Sequence, residues 1–203
     1  VAGAGYTGLS TALHCAQKGL DVVVIDAHRV GFGASGRNGG QVGTGWNKEQ
    51  AWLEKRLGKD AARRLWDLTV EAKALTRDLV AAHAPEANYK PGILHAGWGA
   101  REANEWRDYA NWLRDAYDYP TEYLDTDALR AVCNSPVYSG GVLDRDAGHL
   151  HPLRYVLGLA RAAETTSVRI FERTEATRIT DGAVTPPHGT IRASHIVVAG
   201  NGY

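Results

Sequence analysis

Three glycines at the start of the chain have the spacing of a dinucleotide-binding turn. Gly3, Gly5 and Gly8 form G-x-G-x-x-G within VAGAGYTGLSTA. In such a turn the first glycine allows a tight bend, the second lets the backbone approach a pyrophosphate, and the third lets the following helix pack closely on its strand. The unpaired N–H groups of that helix favour a bound anion. The candidate phosphate-binding residues of this turn are Gly3, Ala4, Gly5, Tyr6, Thr7 and Gly8.

A carboxylate follows at the end of the next predicted strand. Apolar residues between Leu9 and Ala16 recur at helical spacing, Gly19 can end that helix, and residues 22–25 form a continuous apolar run. Such a run is typical of a parallel strand that is buried on both faces. Asp26 and then Ala27 follow it, where the motif places a carboxylate for ribose hydroxyls. The alternative is a glycine-rich turn in some other α/β protein.

A second group of candidate ligand-binding residues lies in the glycine-rich segment 27–45. This segment has almost no large apolar side chains, so it predicts neither a helix nor a strand. Closely spaced glycines let backbone N–H groups close around a ligand. A flexible surface loop is the alternative, although it would not require the polar residues set among the glycines. The candidates are Ala34, Ser35, Gly36, Arg37, Asn38, Gly39 and Gly40.

Residues 3–41 resemble the N-terminal flavin-binding region of the FAD-dependent amine and amino-acid oxidoreductases of the D-amino-acid oxidase superfamily. The combination of G-x-G-x-x-G, an acidic strand end and GASGRNGGQ carries this resemblance. It implies that residues 3–8 hold the FAD pyrophosphate, Asp26 the adenosine ribose, and residues 35–41 the flavin side. It also implies that Ala176 lies near the adenine and that Ala199 and Gly200 return to the flavin.

Arg37 and Gln41 are the candidate catalytic residues, because the resemblance places them beside the flavin. A guanidinium near the ring can stabilise negative charge that develops during reduction. The neutral Gln41 suits an amine or amide, whereas a substrate carboxylate would favour a bidentate Arg. The alternative for Arg37 is that it only braces the loop through backbone carbonyls. The sequence has no convincing Ser/His/Asp triad or pair of catalytic carboxylates.

The rest of the chain predicts an α/β protein with a Rossmann-like FAD-binding domain and an inserted mixed α+β substrate domain. Helical spacing predicts one short and one long helix within residues 47–83, a third over 101–117 with an aromatic stripe interpreted as core packing, and a fourth after Pro152. The apolar positions of the long helix include Leu68 and Leu75. Asp125 is predicted to cap a small helix that ends at Val132, and strands are predicted over residues 138–143, over residues 168–171 and, as a buried strand, up to Ala199. The charged residues of the long helix, Lys73 included, are interpreted as a solvated face. The predicted division is an FAD-binding domain over 1–84 and 145–203, and a substrate domain over 85–144.

The segment LDRDAGHLHP, residues 143–152, allows two interpretations. Asp144, Asp146, His149 and His151 could be drawn as metal ligands, but their spacing matches no established metal motif. The preferred interpretation is a turn at Gly148 that leads into a helix with Pro152 in its first turn, where proline costs no hydrogen bond. No metal is therefore predicted.

Composition limits the choice of partners. The 203 residues carry 23 basic and 23 acidic side chains, so no electrostatic footprint indicates nucleic acid or an anionic membrane. Cys15 and Cys133 have no metal-ligand or disulfide-framework spacing, which favours a reducing, cytoplasmic setting. No apolar run has the length of a membrane span.

The resemblance implies an enzyme that oxidises the C–N bond of an amine, such as an acylated polyamine or similar primary amine, with oxygen as the final acceptor. One alternative is an oxidase or dehydrogenase of glycine, sarcosine or a D-amino acid. Another is an NAD(P)-binding or non-catalytic nucleotide-binding module. The resemblance also implies that the chain lacks the C-terminal half of such an enzyme and would be inactive alone.

Overall fold

The computed structural model describes residues 1–202, which form two compact units. The first unit contains Val1–Gly40, Arg77–Asn88 and residues 150–202, and the second contains Gln41–Thr76 and Tyr89–His149. These bounds differ from the predicted division, because residues 41–76 and 145–149 lie in the second unit and residues 85–88 lie in the first. Strand pairing explains the difference, since residues 41–42 and 148–149 join the sheet of that unit.

The elements follow one another in a mixed α/β order. They are α1 (Tyr6–Gln17), β1 (Val23–Ile25), β2 (Gln41–Val42), α2 (Gln50–Leu57), α3 (Lys59–His83), β3 (Lys90–Trp98), α4 (Gly99–Tyr117), β4 (Glu122–Leu124), α5 (Thr126–Val132), β5 (Tyr138–His149), α6 (Pro152–Thr165), β6 (Arg169–Phe171), β7 (Arg178–Thr180), β8 (Ala183–Thr185) and β9 (Ile191–Arg192). Short 3₁₀ turns lie at Ala34–Gly36 and Pro85–Ala87.

The first unit is built around a parallel strand pair and two packed helices. Strand β1 pairs in parallel with β6, and Ala2 bridges in parallel to both Ile25 and Val198. Helix α1 packs against α6, and both helices bury small and branched side chains in their shared core. Strands β7, β8 and β9 form a separate antiparallel sheet. The parallel pair with its flanking helices is the Rossmann-like arrangement that the first 26 residues predict.

Three local predictions of element ends are confirmed. Helix α1 ends just before Gly19, whose φ of +85° suits glycine. Pro152 occupies the first turn of α6, where its missing N–H costs nothing. Asp125 caps α5 by accepting hydrogen bonds from the N–H groups of Asp127 and Ala128.

Three other local predictions are wrong. The segment 27–45 contains a 3₁₀ turn and the short strand β2, although it was predicted to contain neither helix nor strand. Gly148 is not a turn, because β5 continues through it to His149 and pairs it with both Val42 and Pro91. The buried strand predicted to end at Ala199 is reduced to one bridge at Val198, which is 65% exposed.

The second unit is an antiparallel sheet covered by helices. The long strand β5 pairs with β2, β3 and β4, and α4 packs on β3 and β5. The aromatic stripe of α4 packs in part as predicted, since Leu113 joins Trp66, Tyr117 and Tyr119 in a buried cluster and Tyr109 and Trp112 pack against it. Trp106 and Tyr109 also line a cavity. Trp66 and Tyr119 meet edge to face with ring centroids 5.2 Å apart.

The interpretation of α3 as an amphipathic helix needs two corrections. The sequence predicts Lys73 on the solvated face, but Lys73 is only 2% exposed. Conversely, Leu68 and Leu75 were placed on the apolar stripe and are 54% and 41% exposed. The side chain of Lys73 finds polar partners inside the second unit, which sequence periodicity does not show.

Candidate functional site

A large cavity of the first unit lies at the G-x-G-x-x-G turn. Its volume is about 1080 Å³, and the N-terminus of α1, the end of β1 and the segment 31–37 line it. The structure thus brings together Gly3, Ala4, Gly5, Tyr6, Thr7, Asp26, Ala27, Ala34, Ser35, Arg37, Ala176, Ala199 and Gly200. All of these were candidates from the sequence.

Five other candidates do not line this cavity: Gly8, Gly36, Asn38, Gly39 and Gly40. Gly8 allows close packing, because a side chain there would overlap the carbonyl oxygen of Gly3. Side chains at Gly36 and Gly40 would likewise overlap the carbonyls of Gly31 and Leu150. These three glycines therefore allow close backbone packing of the turn and the loop and do not line the cavity.

The carboxylate of Asp26 orders the turn. Its Oδ2 accepts a hydrogen bond of 2.8 Å from the N–H of Ala4, and its Oδ1 accepts one of 2.8 Å from the N–H of His28. Each carboxylate oxygen can accept further hydrogen bonds. Asp26 can therefore orient the turn and still accept from a ligand hydroxyl at the cavity edge.

Ser35 and Asn38 tie the glycine-rich loop to helix α1. The Oγ of Ser35 accepts a hydrogen bond of 3.0 Å from the N–H of Tyr6, one of the free donors of the first helical turn. The Nδ2 of Asn38 donates to the carbonyls of Ala34 and Ser35, and its Oδ1 accepts from the N–H of Gly40. Asn38 thus holds the loop's own conformation, and its Nδ2 also donates to the hydroxyl of Tyr6 in α1 at 3.4 Å.

The two candidate catalytic residues lie in different units. The Nε of Arg37 donates a 2.5 Å hydrogen bond to the carbonyl of Phe32, and its guanidinium lies 4.4 Å from the centroid of the Phe32 ring. Gln41 lies in β2, where it pairs with His149, and its side chain is exposed. Gln41 does not line the cavity of the first unit.

Sequence reasoning missed part of this cavity's wall. Its further residues come from Ala2, the end of β1, the segment 28–33, and residues 174–179 and 198–201. Thr174 is brought there because its N–H donates to the carbonyl of Asp26 at 2.7 Å. The strand predicted over residues 168–171 was the signal available in the sequence, because the carboxyl ends of parallel strands meet at one edge of a sheet.

The second unit has its own cavity, with a volume of about 340 Å³. Helix α4, strands β3 and β5 and the segment 44–50 line it. Its aromatic walls are Trp46, Trp66, Trp106, Tyr109 and Tyr119. Polar side chains of Gln50, His95, Thr121 and Asp144 also reach the wall. The sequence does not predict this cavity, because its walls come from widely separated segments.

A buried polar network lies beside this second cavity. The hydroxyl of Tyr119 donates to the Oδ2 of Asp144 at 2.7 Å and accepts from the Nζ of Lys73 at 2.9 Å. Lys73 also forms an ion pair with Asp146. Burial raises the pKa of Tyr119, and the hydrogen bond to Asp144 raises it further, so the phenol stays neutral.

No metal centre is found within residues 1–202, where no group of His, Cys, Asp or Glu side chains is arranged to hold an ion. Asp144 and Asp146 instead bind Tyr119 and Lys73, and His149 pairs within the sheet. His151 begins α6, and its ring nitrogen accepts from the N–H of Arg154. These four residues thus have structural partners.

His95 should make stability depend on pH. Burial lowers its pKa from the ordinary value of 6.5, and the charge of Asp144 only partly offsets this effect. The unfolded chain then binds more protons than the folded chain as pH falls below 6.5. The free energy of unfolding therefore decreases below pH 6.5 and has its full value above it. Replacing His95 with Gln should flatten this pH dependence of the free energy of unfolding, which urea unfolding at pH values below and above 6.5 would measure. If the free energy of unfolding of the variant depended on pH as steeply as that of the wild type, His95 would not be the cause.

Comparison with known proteins agrees with the cavity at the glycine turn. The model of the FAD-dependent oxidoreductase family matches residues 1–203. The chain belongs to this family. Gamma-glutamylputrescine oxidoreductase from Escherichia coli is 38% identical over 207 residues, which cover all of this chain and 48% of that protein. The probable oxidoreductase OrdL from Rhizobium meliloti is 38% identical over 208 residues, with 49% of that protein covered.

Solved structures support the fold of this family member. Glycine oxidase from Bacillus cereus superimposes with a TM-score of 0.73 at 21% identity, over 98% of this chain and 53% of that one. L-amino acid deaminase from Proteus myxofaciens gives a TM-score of 0.77 at 20% identity, over 98% of this chain and 44% of that one. The chain spans about half the length of these relatives.

A membrane-crossing helix is absent from the described part of the chain, residues 1–202, where no helix is both long and apolar enough. Both cysteines are free and partly buried. Neither observation changes the assignment to the FAD-dependent oxidoreductase family.

Proposed function

We propose that the protein containing this chain oxidises the C–N bond of a primary amine resembling gamma-glutamylputrescine, yielding an imine that hydrolyses to an aldehyde. The observation that carries this proposal is the 38% identity to gamma-glutamylputrescine oxidoreductase along the whole chain. Oxygen is proposed as the final electron acceptor. Family membership in the FAD-dependent oxidoreductases speaks against an NAD(P)-binding or non-catalytic module.

The residues of the first-unit cavity fit FAD. A side chain at Gly5 would lie 2.8 Å from the Oγ of Ser35, so the narrow turn leaves only the backbone to meet a pyrophosphate. We propose that residues 3–8 and the N-terminus of α1 hold the pyrophosphate and that Asp26 accepts from the ribose. Ala176 would lie near the adenine, and Ala34, Ser35, Ala199 and Gly200 toward the flavin. When bound, FAD supplies the two-electron acceptor for amine oxidation.

A panel of substrates tests the proposal. The purified full-length protein, with its flavin confirmed by absorption, would be assayed for aldehyde and hydrogen peroxide with gamma-glutamylputrescine, putrescine, glycine, sarcosine and D-alanine. We expect the acylated polyamine to give the highest kcat/KM. Turnover only of the amino acids would overturn the proposal and favour the amino-acid oxidase or dehydrogenase alternative.

We propose that Arg37 positions the glycine-rich loop, because both of its observed contacts are to Phe32. Arg37→Ala should lower flavin content, while the flavin-loaded fraction keeps a reduction rate within about tenfold of the wild type. An electrostatic role at the reacting centre would instead cost about 10²–10³ in rate. Anaerobic rapid-mixing reduction by the amine, after correction for flavin content, separates the two roles.

Gln41 stays a candidate for substrate contact. Gln41→Ala should raise KM for the amine if the side chain contacts the substrate, and steady-state assays of the full-length protein measure this.

A further inference from the structure

The cavity of the second unit contains buried acceptor atoms that need donors. Gln50 is 2% exposed, and its Nε2 donates to the carbonyl of Ala62 at 2.7 Å and to the hydroxyl of Tyr117 at 2.9 Å. The carbonyl of Ala62 can only accept, so the orientation of this amide is determined. Within residues 1–202, the Oε1 of Gln50 and the Oγ1 of Thr121 are buried without a hydrogen-bond partner. Leaving such groups unpaired is costly.

The same cavity contains a buried carboxylate that forms no direct ion pair, since Lys73 reaches Asp144 only through the hydroxyl of Tyr119. Asp144 is 7% exposed, and its oxygens accept from the hydroxyl of Tyr119 and from the N–H groups of Asp146 and Ala147. Among the described residues, no Lys or Arg forms an ion pair with Asp144. A buried charge normally requires a partner of opposite charge.

The other charged groups of the wall do not supply that partner. The ammonium of Lys48 lies 5.9 Å from the centroid of the Trp52 ring, and Trp52 is outside the cavity wall. His95 stacks on Trp106 with ring centroids 4.6 Å apart, and its lowered pKa keeps it neutral at pH 7. Lys48 and Glu49 both line the cavity and are exposed, so their charges offset each other and Asp144 remains the buried charge of the wall. The complement of this wall is therefore a cation.

The aromatic walls select the kind of cation. Trp46, Trp66, Trp106 and Tyr109 present ring surfaces that attract organic cations and pack against alkyl chains. The cavity volume of about 340 Å³ far exceeds the share of about 30 Å³ that one water occupies in the liquid. An anion would be repelled by Asp144, and a neutral apolar molecule would leave the free acceptors unpaired.

We propose that this cavity binds the ammonium group of a short alkylamine, with Asp144 as counter-ion and the Oε1 of Gln50 and the Oγ1 of Thr121 as further acceptors. The indole rings contact its alkyl chain. This inference goes beyond the proposed function, since binding here requires neither flavin nor turnover. The bound amine can be the substrate itself or a separate amine, and both present the same chemistry to the cavity.

Calorimetric titration of the full-length protein with n-butylammonium tests the inference directly, with 1-butanol and butyrate as neutral and anionic probes of similar size. We expect n-butylammonium to bind at least about tenfold more tightly than either, since a charge-assisted hydrogen bond is roughly twice as strong as one between neutral groups. Equal affinities for the three probes would overturn the proposal. Indole fluorescence gives a second readout, because three tryptophans line the cavity.

Two variants locate the site. Asp144→Asn removes the charge and should weaken n-butylammonium binding about tenfold to a hundredfold. Thr121→Val preserves the side-chain shape, removes an unpartnered hydroxyl and should weaken binding by a few-fold without loss of stability. Asp108→Asn and Thr76→Val are the matched controls, because both residues are outside the cavity wall. If natively folded Thr121→Val binds as tightly as the wild type, and folded Asp144→Asn does too, the proposal fails.

Steady-state assays distinguish the two sources of the amine. Thr121→Val raises KM for the oxidised amine if the cavity holds the substrate, and leaves KM unchanged if it holds a separate amine. Failure of the proposed function is distinguishable as well. A protein that binds n-butylammonium in this cavity but oxidises only amino acids would disprove the proposed function and retain the site.

Discussion

Replacing Gly5 with valine in the full-length protein should lower its flavin content at least about tenfold, because a branched side chain would occupy the path by which the backbone meets the pyrophosphate. Gly5 lines the cavity of the first unit, directly before helix α1. Its backbone has an extended conformation with φ of −90°, so valine causes no backbone strain of its own. Flavin absorption relative to protein absorption, measured after purification, gives the result.

Two controls separate exclusion of the phosphate from local damage. Gly43→Val is the matched substitution, since no atom lies within 4 Å of an added side-chain carbon there. The double variant Gly5→Val/Ser35→Ala removes the hydroxyl that lies 2.8 Å from the added carbon. If the double variant recovers normal flavin content, displacement of Ser35 and not exclusion of phosphate causes the loss. Normal flavin in Gly5→Val itself would contradict the assignment of the turn.

Replacing Asp146 with alanine should destabilise the second unit by about 3 kcal/mol, because it removes the counter-ion of a buried ammonium. The side chain of Lys73 is 0% exposed, whereas that of Asp146 is 48% exposed. Only the hydroxyl of Tyr119 would remain as an observed acceptor for Lys73. That remaining bond places the expected cost at the lower end of the usual range of about 3–5 kcal/mol for breaking a buried ion pair.

Urea unfolding followed by circular dichroism measures this cost. Asp115→Ala is the matched control, because the Arg114–Asp115 pair is more than half exposed and should contribute less than about 1 kcal/mol. The double variant Lys73→Met/Asp146→Ala should recover at least about half of the lost stability, since it also removes the buried charge. Equal losses in Asp146→Ala and Asp115→Ala would show that the ion pair does not stabilise the unit.

The buried position of Lys73 shows where sequence patterns fail. Its neighbours on α3, Arg63, Arg64 and Glu71, are exposed as periodicity predicts. Lys73 differs because Asp146, 73 residues further along the chain, is close enough to pair with it. Helical periodicity depends only on residues within a few turns, so it does not reveal a partner supplied by a distant strand.

Strand β5 illustrates the same limit at the level of secondary structure. The sequence predicted a strand only over residues 138–143, because Asp144, Asp146 and Gly148 are unfavourable in an isolated strand. The observed strand extends to His149, since β2 and β3 pair with its second half and Tyr119 and Lys73 satisfy the acidic residues. Tertiary pairing overrides local preference there.

The nucleotide-binding turn was determined by the sequence alone. Gly8 packs against Gly3, and the carboxylate of Asp26 accepts from the N–H of Ala4, so the contacts that order this turn lie within the first 26 residues. Their spacing is therefore sufficient to specify strand, turn, helix and strand. The aromatic cavity with Asp144, Gln50 and Thr121 was decided only by the tertiary structure. Its walls come from segments separated by tens of residues. Burial gives the Asp144 carboxylate and the unpartnered acceptors of Gln50 and Thr121 their chemical significance, and it arises only when these segments pack.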